Sequence, residues 1–362
     1  MLKTVRWGSI RVCCPLPAWL MQKVVDASTT VIRQLLMVAL VLGGGWISPS
    51  VLAETHEKSE IWLRAMNEAY STLSFRGNLV FQNAQGLNTL SIVRDLSGNQ
   101  HRARMVYLDG RYREVVRDGE LVTFLNSDQV LRFEHGETVV TPEQMLRRFS
   151  ALGDSYRSEF VGRDRVAGRA AIMVNVVPGD RHRYGYQLWL DEQTGLLLKS
   201  LMLDDKGGVL ERLQFVSLQV GSDIRPEELR LSVDVQQLPE QLVTTHRIES
   251  RLDLDETDRP LNWQVGWVPA GFSLTQRDER RSPVGKHPVD SLMYSDGLAS
   301  FSLFVELDDE NLLSEATDSN GATTAISRVF RDHEDYYMVT VVGEIPLGTA
   351  ERIAVSIAPT QR

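Results

Sequence analysis

The chain has 362 residues, with 39 Lys and Arg against 48 Asp and Glu and a formal net charge of −9. Residues 1–53 hold five of the basic groups and one of the acidic ones, so the remainder, with 34 against 47, stands at −13. An acidic surface repels phosphate backbones, which excludes nucleic-acid binding as a class. It also opposes broad adhesion to an anionic bilayer, while a local basic patch can still meet one acidic head group.

The first element is a leader. Residues 35–42 read LLMVALVL, with Lys23 and Arg33 upstream and Val51-x-Ala53 just before Glu54. Spanning a bilayer takes about 20 apolar residues, so this run is too short. A basic flank, a short apolar stretch and a small-residue exit predict a cleaved secretory signal over residues 1–53. Such signals usually run about 15–30 residues, and Met21 offers a second start that restores an ordinary length. Both cysteines, Cys13 and Cys14, precede Met21. The exported chain is therefore expected to be thiol-free, without a disulfide, a thiolate metal site or a Cys nucleophile. With no lipobox-like Cys after the apolar run, a soluble protein that works outside the cytoplasm is the expectation.

The remaining 309 residues exceed one usual core and predict two domains. Ile61, Trp62, Ala65, Met66, Ala69, Tyr70 and Leu73 make one apolar stripe at helical period. Short β-rich runs follow at 77–81, 89–94, 102–108, 113–117, 121–126 and 129–134, with turn residues between them. Asp118-Gly119 reads as a type I′ hairpin signal. Thr141-Pro142-Glu143-Gln144 opens a short capped helix expected to end near Gly153. Strands return at 156–166, 169–178 and in three runs within 184–218. Tyr184, Tyr186, Leu188 and Leu190 alternate with Gln187 and Trp189, so both faces of that sheet carry large apolar groups and need two covers.

Residues 226–262 are polar and read as a linker with one or two short strands. Apolar alternation resumes at 263–267, 272–277, 289–295, 299–306, 323–330 and 336–342. Ala350, Ile353, Ala354 and Ile357 then form the stripe of a closing helix. The expected organisation is a first domain over 54–225, the linker 226–262 and a smaller antiparallel sheet with one terminal helix over 263–358.

No nucleophile elbow, zincin motif, P-loop or dinucleotide fingerprint occurs. The seven His residues are scattered, and His182, between Arg181 and Arg183, reads as an exposed loop residue. Asp204-Asp205 and Asp308-Asp309-Glu310 lack the alternating oxygen ligands of a calcium loop. Ser295-Asp296 reads as a turn rather than a nucleophile. A non-enzymatic protein with no metal, no catalytic residue and no cofactor is the expectation.

Trp267-Val268-Pro269-Ala270-Gly271-Phe272, the run from Leu292-Met293-Tyr294-Ser295-Asp296-Gly297 to Ser302, and Val341-Val342-Gly343-Glu344-Ile345-Pro346 resemble the C-terminal domain of the MucB/RseB family. Leu108-Asp109-Gly110-Arg111-Tyr112-Arg113 and Tyr184-Gly185-Tyr186-Gln187-Leu188-Trp189-Leu190-Asp191 resemble its N-terminal domain. The long leader and the acidic segment 308–320 depart from that pattern. The resemblance implies a periplasmic negative regulator that binds the periplasmic tail of a membrane-bound anti-sigma factor, shields it from a membrane-anchored protease, and is released by an envelope lipid or lipopolysaccharide fragment. It also implies an α+β chain whose first domain is a lipoprotein-carrier-like, half-open antiparallel β-barrel closed by helices over an apolar cavity.

A sheet apolar on both faces makes Leu79, Phe81, Met105, Tyr107, Trp189 and Leu190 candidate walls of an acyl-chain pocket, and Arg102, Arg104, Arg111 and Arg113 candidates for its head group. Met293, Tyr294, Phe301 and Phe304 are candidate partner contacts, of which alternation sends half into the core. Self-association into a homo-oligomer is left open. The rival reading is a periplasmic lipid or lipoprotein carrier, which would have no use for the second domain.

Overall fold

Short strands linked by tight turns pair with their sequence neighbours, and a meander grows into one sheet. In the computed structural model, residues 49–97, 101–127, 129–134, 149, 152–221, 223–247, 263–281, 288–307, 314–332 and 335–359 are described. Helix α1 (Pro49–Thr72) leads into β1 (Phe75–Asn83), β2 (Gly86–Asp95), β3 (Arg102–Tyr107), β4 (Arg113–Asp118), β5 (Leu121–Asn126) and β6 (Val130–Glu134). A second meander comprises β7 (Tyr156–Val166), β8 (Arg169–Pro178), β9 (Gly185–Asp191), β10 (Leu197–Leu203) and β11 (Val209–Val220). Antiparallel pairing of β1 with β11 joins the two meanders. The result is a 12-stranded sheet ordered β12-β6-β5-β4-β3-β2-β1-β11-β10-β9-β8-β7, which does not close. Its last member, β12 (Val243–Arg247), comes from the expected linker and pairs parallel with β6. The linker is also tied down by Arg76, whose guanidinium bonds Glu228 at 2.7 Å.

Helix α1 is turned slightly from the expected stripe. Met66, Ala69 and Tyr70 are buried as anticipated, but Ile61 is 51% exposed and Leu63, at 7%, takes its place. The buried line therefore runs through Ser59, Leu63, Met66 and Tyr70. This rotation puts Ser59 Oγ 2.8 Å from Ser158 Oγ on the edge strand β7, so a polar contact sets the helix's roll. The apolar run 35–42 and the helix expected from Thr141 lie outside the described residues. Phe149, which is described, is buried against the ring of Tyr186 at 5.0 Å.

The second sheet is ordered β14-β15-β16-β19-β18-β17. It is built from β14 (Ser273–Arg281), β15 (Pro288–Ser295), β16 (Ser300–Leu307), β17 (Ala316–Asn320), β18 (Thr323–Asp332) and β19 (Asp335–Gly343). Helix α2 (Leu347–Ala354) lies against β18 and β19. A short pair, β13 (Trp263–Val265) with β20 (Ile357–Pro359), completes the domain. Two elements differ from the sequence reading. Strand β17 lies in the acidic segment 308–320, where no strand was expected; its five residues are all exposed and it is held by backbone pairing with β18, so no apolar alternation announces it. Ile357 is not on the closing helix. The chain reverses at Ser356, whose carbonyl accepts from Gly266 N and whose Oγ accepts from Trp267 N, and Ile357 pairs with Val265 as strand. Among the described residues no helix is long and apolar enough to cross a membrane.

The type I′ turn also falls elsewhere. Asp118 pairs with Leu121, leaving Gly119 and Glu120 as the central residues, and of these only Gly119 has positive φ, at 60°. That is the type II′ arrangement. Positive φ at both central positions occurs instead between β7 and β8, at Ala167 (50°) and Gly168 (77°). A left-handed alanine is strained, because its Cβ crowds the following carbonyl. Ala167→Asn is expected to relieve this and stabilise the chain by about 0.5–1 kcal/mol, seen as a higher denaturant midpoint. A lower midpoint would mean that the half-buried methyl contributes more than the strain costs.

Candidate functional site

The inner face of the first sheet carries the largest buried apolar cluster among the described residues. Alternation along β1, β2, β3, β8, β9 and β11 sends Leu79, Leu90, Ile92, Met105, Ile172, Leu188, Leu190 and Phe215 to it, and α1 covers part with Leu63, Met66 and Tyr70. Three sequence-predicted wall residues, Leu79, Met105 and Leu190, are buried in this cluster. Phe81 and Tyr107 pack at its margin, only partly buried. Trp189 is not with them. Its neighbours Leu188 and Leu190 point inward, so Trp189 points to the opposite face, where it joins Val166, Ala171, Leu198 and Leu201. Its indole N–H donates to Asp164 at 2.7 Å, and Lys199 Nζ sits 3.9 Å from the ring centroid. The sheet is thus apolar on both faces, as the alternation implied.

Among the described residues, the voids on the inner face are small. Two voids bordering it measure about 10 Å³, under Tyr70, Phe75 and Phe215, and about 30 Å³, beside Phe81, Tyr186 and Met202. A single water needs about 10–15 Å³ on this measure, and small-molecule pockets run about 300–1,000 Å³. Neither of these two voids holds an acyl chain as it stands.

The four candidate arginines are not brought together. Arg102 pairs with the buried carboxylate of Asp95. Arg104 Nε donates to Glu114 at 2.5 Å. Tyr112 O–H donates to the same carboxylate at 2.8 Å, and Ser232 N at 3.2 Å. Burial raises the Glu114 pKa, but the bonds from Ser232, Arg104 and Tyr112 outweigh it and the net shift is downward. Both Arg102 and Arg104 alternate with the inward Ala103 and Met105, so they leave from the other face. Arg113 stands at the margin of the inner face, 3.7 Å over the Tyr107 ring and bonded to Asn88 at 2.9 Å. Arg111 is on the exposed β3–β4 loop.

The candidate partner residues split by face. Phe301 is 1% exposed in the second core, stacked on Tyr294 at 5.1 Å and against Phe272 at 5.3 Å. Met293 and Phe304 alternate to the opposite face and are half-buried.

The most constrained cluster was read from sequence as a plain turn and a loop. Asp296, between β15 and β16, uses one carboxylate oxygen to accept from Leu298 N (3.0 Å) and Ala299 N (2.8 Å), which is the turn chemistry. The other oxygen accepts from Arg183 Nε at 2.6 Å and Tyr156 O–H at 3.2 Å, both from the first domain. The side chains of Arg183 and Asp296 are 0% and 1% exposed. Arg183 also bonds Asp180 and the carbonyl of Ala270, and lies 4.9 Å from the Phe272 ring. Burial opposes its charge, but the bonds to Asp296 and Asp180 outweigh this and raise its pKa. Burial, helped by the Asp296 charge, pushes the Tyr156 phenol far up and keeps it protonated. Tyr184 O–H donates to the carbonyl of Ile345 at 3.2 Å. His182 is not the exposed residue expected. It is half-buried, 4.9 Å from the Trp267 ring centre, with Nδ1 3.0 Å from Thr349 Oγ1.

Apolar insertion accompanies these bonds. Leu298 (5% exposed), beside Asp296, and Ala322 (1%), in the β17–β18 turn, belong to the core cluster of the first domain rather than the second. Neither was singled out from the sequence. Each lies in a turn, where local pattern carries no sign of a distant core.

The N-terminal domain model of MucB/RseB matches residues 58–233, and the C-terminal domain model of MucB/RseB matches 257–358. The sigma factor AlgU regulatory protein MucB of Pseudomonas aeruginosa is 38% identical over 304 residues, 82% of this chain and 90% of that protein. The sigma-E factor regulatory protein RseB of Haemophilus influenzae is 32% identical over 293 residues, 80% of this chain and 88% of the relative. Among solved structures, the P. aeruginosa MucA/MucB complex matches at TM-score 0.68 and 34% identity, and MucB in complex with MucA(peri) at 0.66 and 35%. Each covers 84% of this chain and 100% of the other.

Two outcomes follow from the Arg183 cluster. Asp296→Asn removes one of the two carboxylates on the buried guanidinium and leaves Asp180, a change expected to cost about 1–3 kcal/mol; urea unfolding should show it, and an unchanged midpoint would contradict the geometry. His182 has a pKa below its ordinary 6.5, first through burial and then through Arg181, Arg352 and Arg183, with Asp180 opposing. A base depressed in the folded state contributes stability above its unfolded pKa and loses it as pH falls through that value towards the folded one. The thermal midpoint should therefore drop more between pH 7.5 and 5.5 in the parent than in His182→Gln; identical drops would rule this contribution out.

Proposed function

Because this chain belongs to the MucB/RseB family, we propose that it is a periplasmic, non-enzymatic negative regulator of an extracytoplasmic-stress sigma factor. It binds the periplasmic region of a membrane-bound anti-sigma factor, shields it from regulated proteolysis, and lets go when an envelope lipid or lipopolysaccharide fragment arrives. The observation that carries this reading is the likeness to MucB in complex with MucA(peri), at 35% identity over 84% of this chain. The leader of residues 1–53 fits export. The lipid part rests on the inner face of the first sheet, where Leu79, Met105 and Leu190 are the floor and Phe81 and Tyr107 the margin. Each buried CH₂ contributes about 0.8 kcal/mol, so an acyl chain could bind there without a charge partner. A ligand switches a protein only by binding its two states unequally.

Partner contacts narrow to Met293 and Phe304, since Phe301 and Tyr294 are occupied in the second core. The carrier alternative gains little, because Leu298 and Ala322 complete the first core and the second domain is no dispensable appendage. For the same reason, removing that domain would strip the first one and is a poor test. The direct test mixes residues 54–362 with the periplasmic region of the single-span anti-sigma protein from the same genome. A complex that slows cleavage by the membrane-anchored protease is expected, and Phe304→Asp should weaken it at least ten-fold at a temperature where the variant's circular dichroism matches the parent's. Absence of both binding and protection would end this reading.

A further inference from the structure

The two ends of the domain interface are built differently. At one end, Ser155, Tyr156, His182 and Arg183 bond to the second domain, with the Arg183–Asp296 pair fully buried at the centre; Tyr184, bonded to the Ile345 carbonyl and next to Thr324, lies between the two ends. At the other end, small groups meet. Ala322 inserts into the first core, and a Cβ built on Gly321 would lie 3.0 Å from the Cβ of Ala84. Beside that contact is a cavity of about 170 Å³, between the β1–β2 and β10–β11 hairpins and Gly321. Glu211 lines both this cavity and the 30 Å³ void next to Phe81 and Met202, so the gap between the domains adjoins the inner apolar face.

Charge-assisted, multiply bonded contacts out of water are costly to break, whereas a methyl-sized insertion beside a cavity of several waters' volume is cheap to withdraw. We propose that the second domain is a hinged stopper: the Arg183–Asp296 end stays fixed, the Ala322 end lifts, and an acyl chain enters the first domain through the cavity at Gly321. This deepens the proposed lipid response and rests on it. It assigns Arg183 and Asp296 as positioning residues and the β17–β18 turn as the moving part. The same displacement that admits hydrocarbon shifts the second sheet, and with it Met293 and Phe304.

Two engineered disulfides in residues 54–362 separate the ends, and the segment has no other thiol. Ala84→Cys with Gly321→Cys staples the moving end; its Cβ separation is about half an ångström under the usual range, which two turns can yield. Ser155→Cys with Gly271→Cys staples the fixed end, at a Cβ separation of 3.5 Å. Comparing oxidised with reduced forms keeps any strain at the replaced glycines common to both. With a fluorescent long-chain fatty acid, oxidation of the first pair should slow uptake at least ten-fold, and oxidation of the second should change it less than two-fold. Equal effects of the two staples, or none from the first, would overturn the hinge. If no form takes up the probe, the acyl reading fails instead, and amide exchange judges the hinge. Residues 321–324 should exchange at least ten-fold faster than 296–299 and slow on oxidation of the first pair; equal exchange at both ends would overturn it.

Discussion

A guanidinium and a carboxylate, each from a different domain and each out of contact with water, set the geometry of this molecule. Arg183 and Asp296 meet at 2.6 Å with almost no exposed surface. Burying such a pair costs about as much in lost hydration as attraction returns, so it is a weak source of net stability. What it contributes is register. The carboxylate also holds its own turn through Leu298 N and Ala299 N, and the guanidinium is gripped by Asp180 and the Ala270 carbonyl, so neither charge can find its partner in another docking pose. That fixed pose delivers Leu298, two residues beyond Asp296, into the first core.

The first sheet explains why such delivery matters. Its inner face collects more apolar surface than α1 covers, and among the described residues Phe149, Leu298 and Ala322 pack on it as well. A surface completed by a removable part can be completed by something else of the same polarity. Hydrocarbon and the β17–β18 turn would compete for neighbouring ground, and a lipid could thereby reach the second sheet without touching it. The small voids of the closed state fit this picture, since a roomy cavity would let lipid bind without moving anything.

Much of the architecture was legible because it is local. Strands β5, β7 and β8 run over the residues their alternation indicated. The inward set Tyr186, Leu188 and Leu190 followed from period two, and the same rule shows why Trp189 could not share a pocket wall with Leu190. Other features have no local signature. Strand β17 has five polar or small exposed residues and is defined by its partner's backbone. Arg102 and Arg104 looked available until Asp95 and Glu114 were found beside them. The pairing of Arg183 with Asp296 spans 113 positions, and no spacing rule reaches that far. Asp296 satisfied every requirement of a turn residue, which hid its second role.

With Leu298 and Ala322 in the first domain's core, the two domains are expected to behave as one folding unit. Calorimetry of residues 54–362 tests it most directly. One cooperative transition, with calorimetric and van't Hoff enthalpies equal, is the predicted result, and Asp296→Asn should split it in two. Two independent transitions in the unaltered chain would contradict the account.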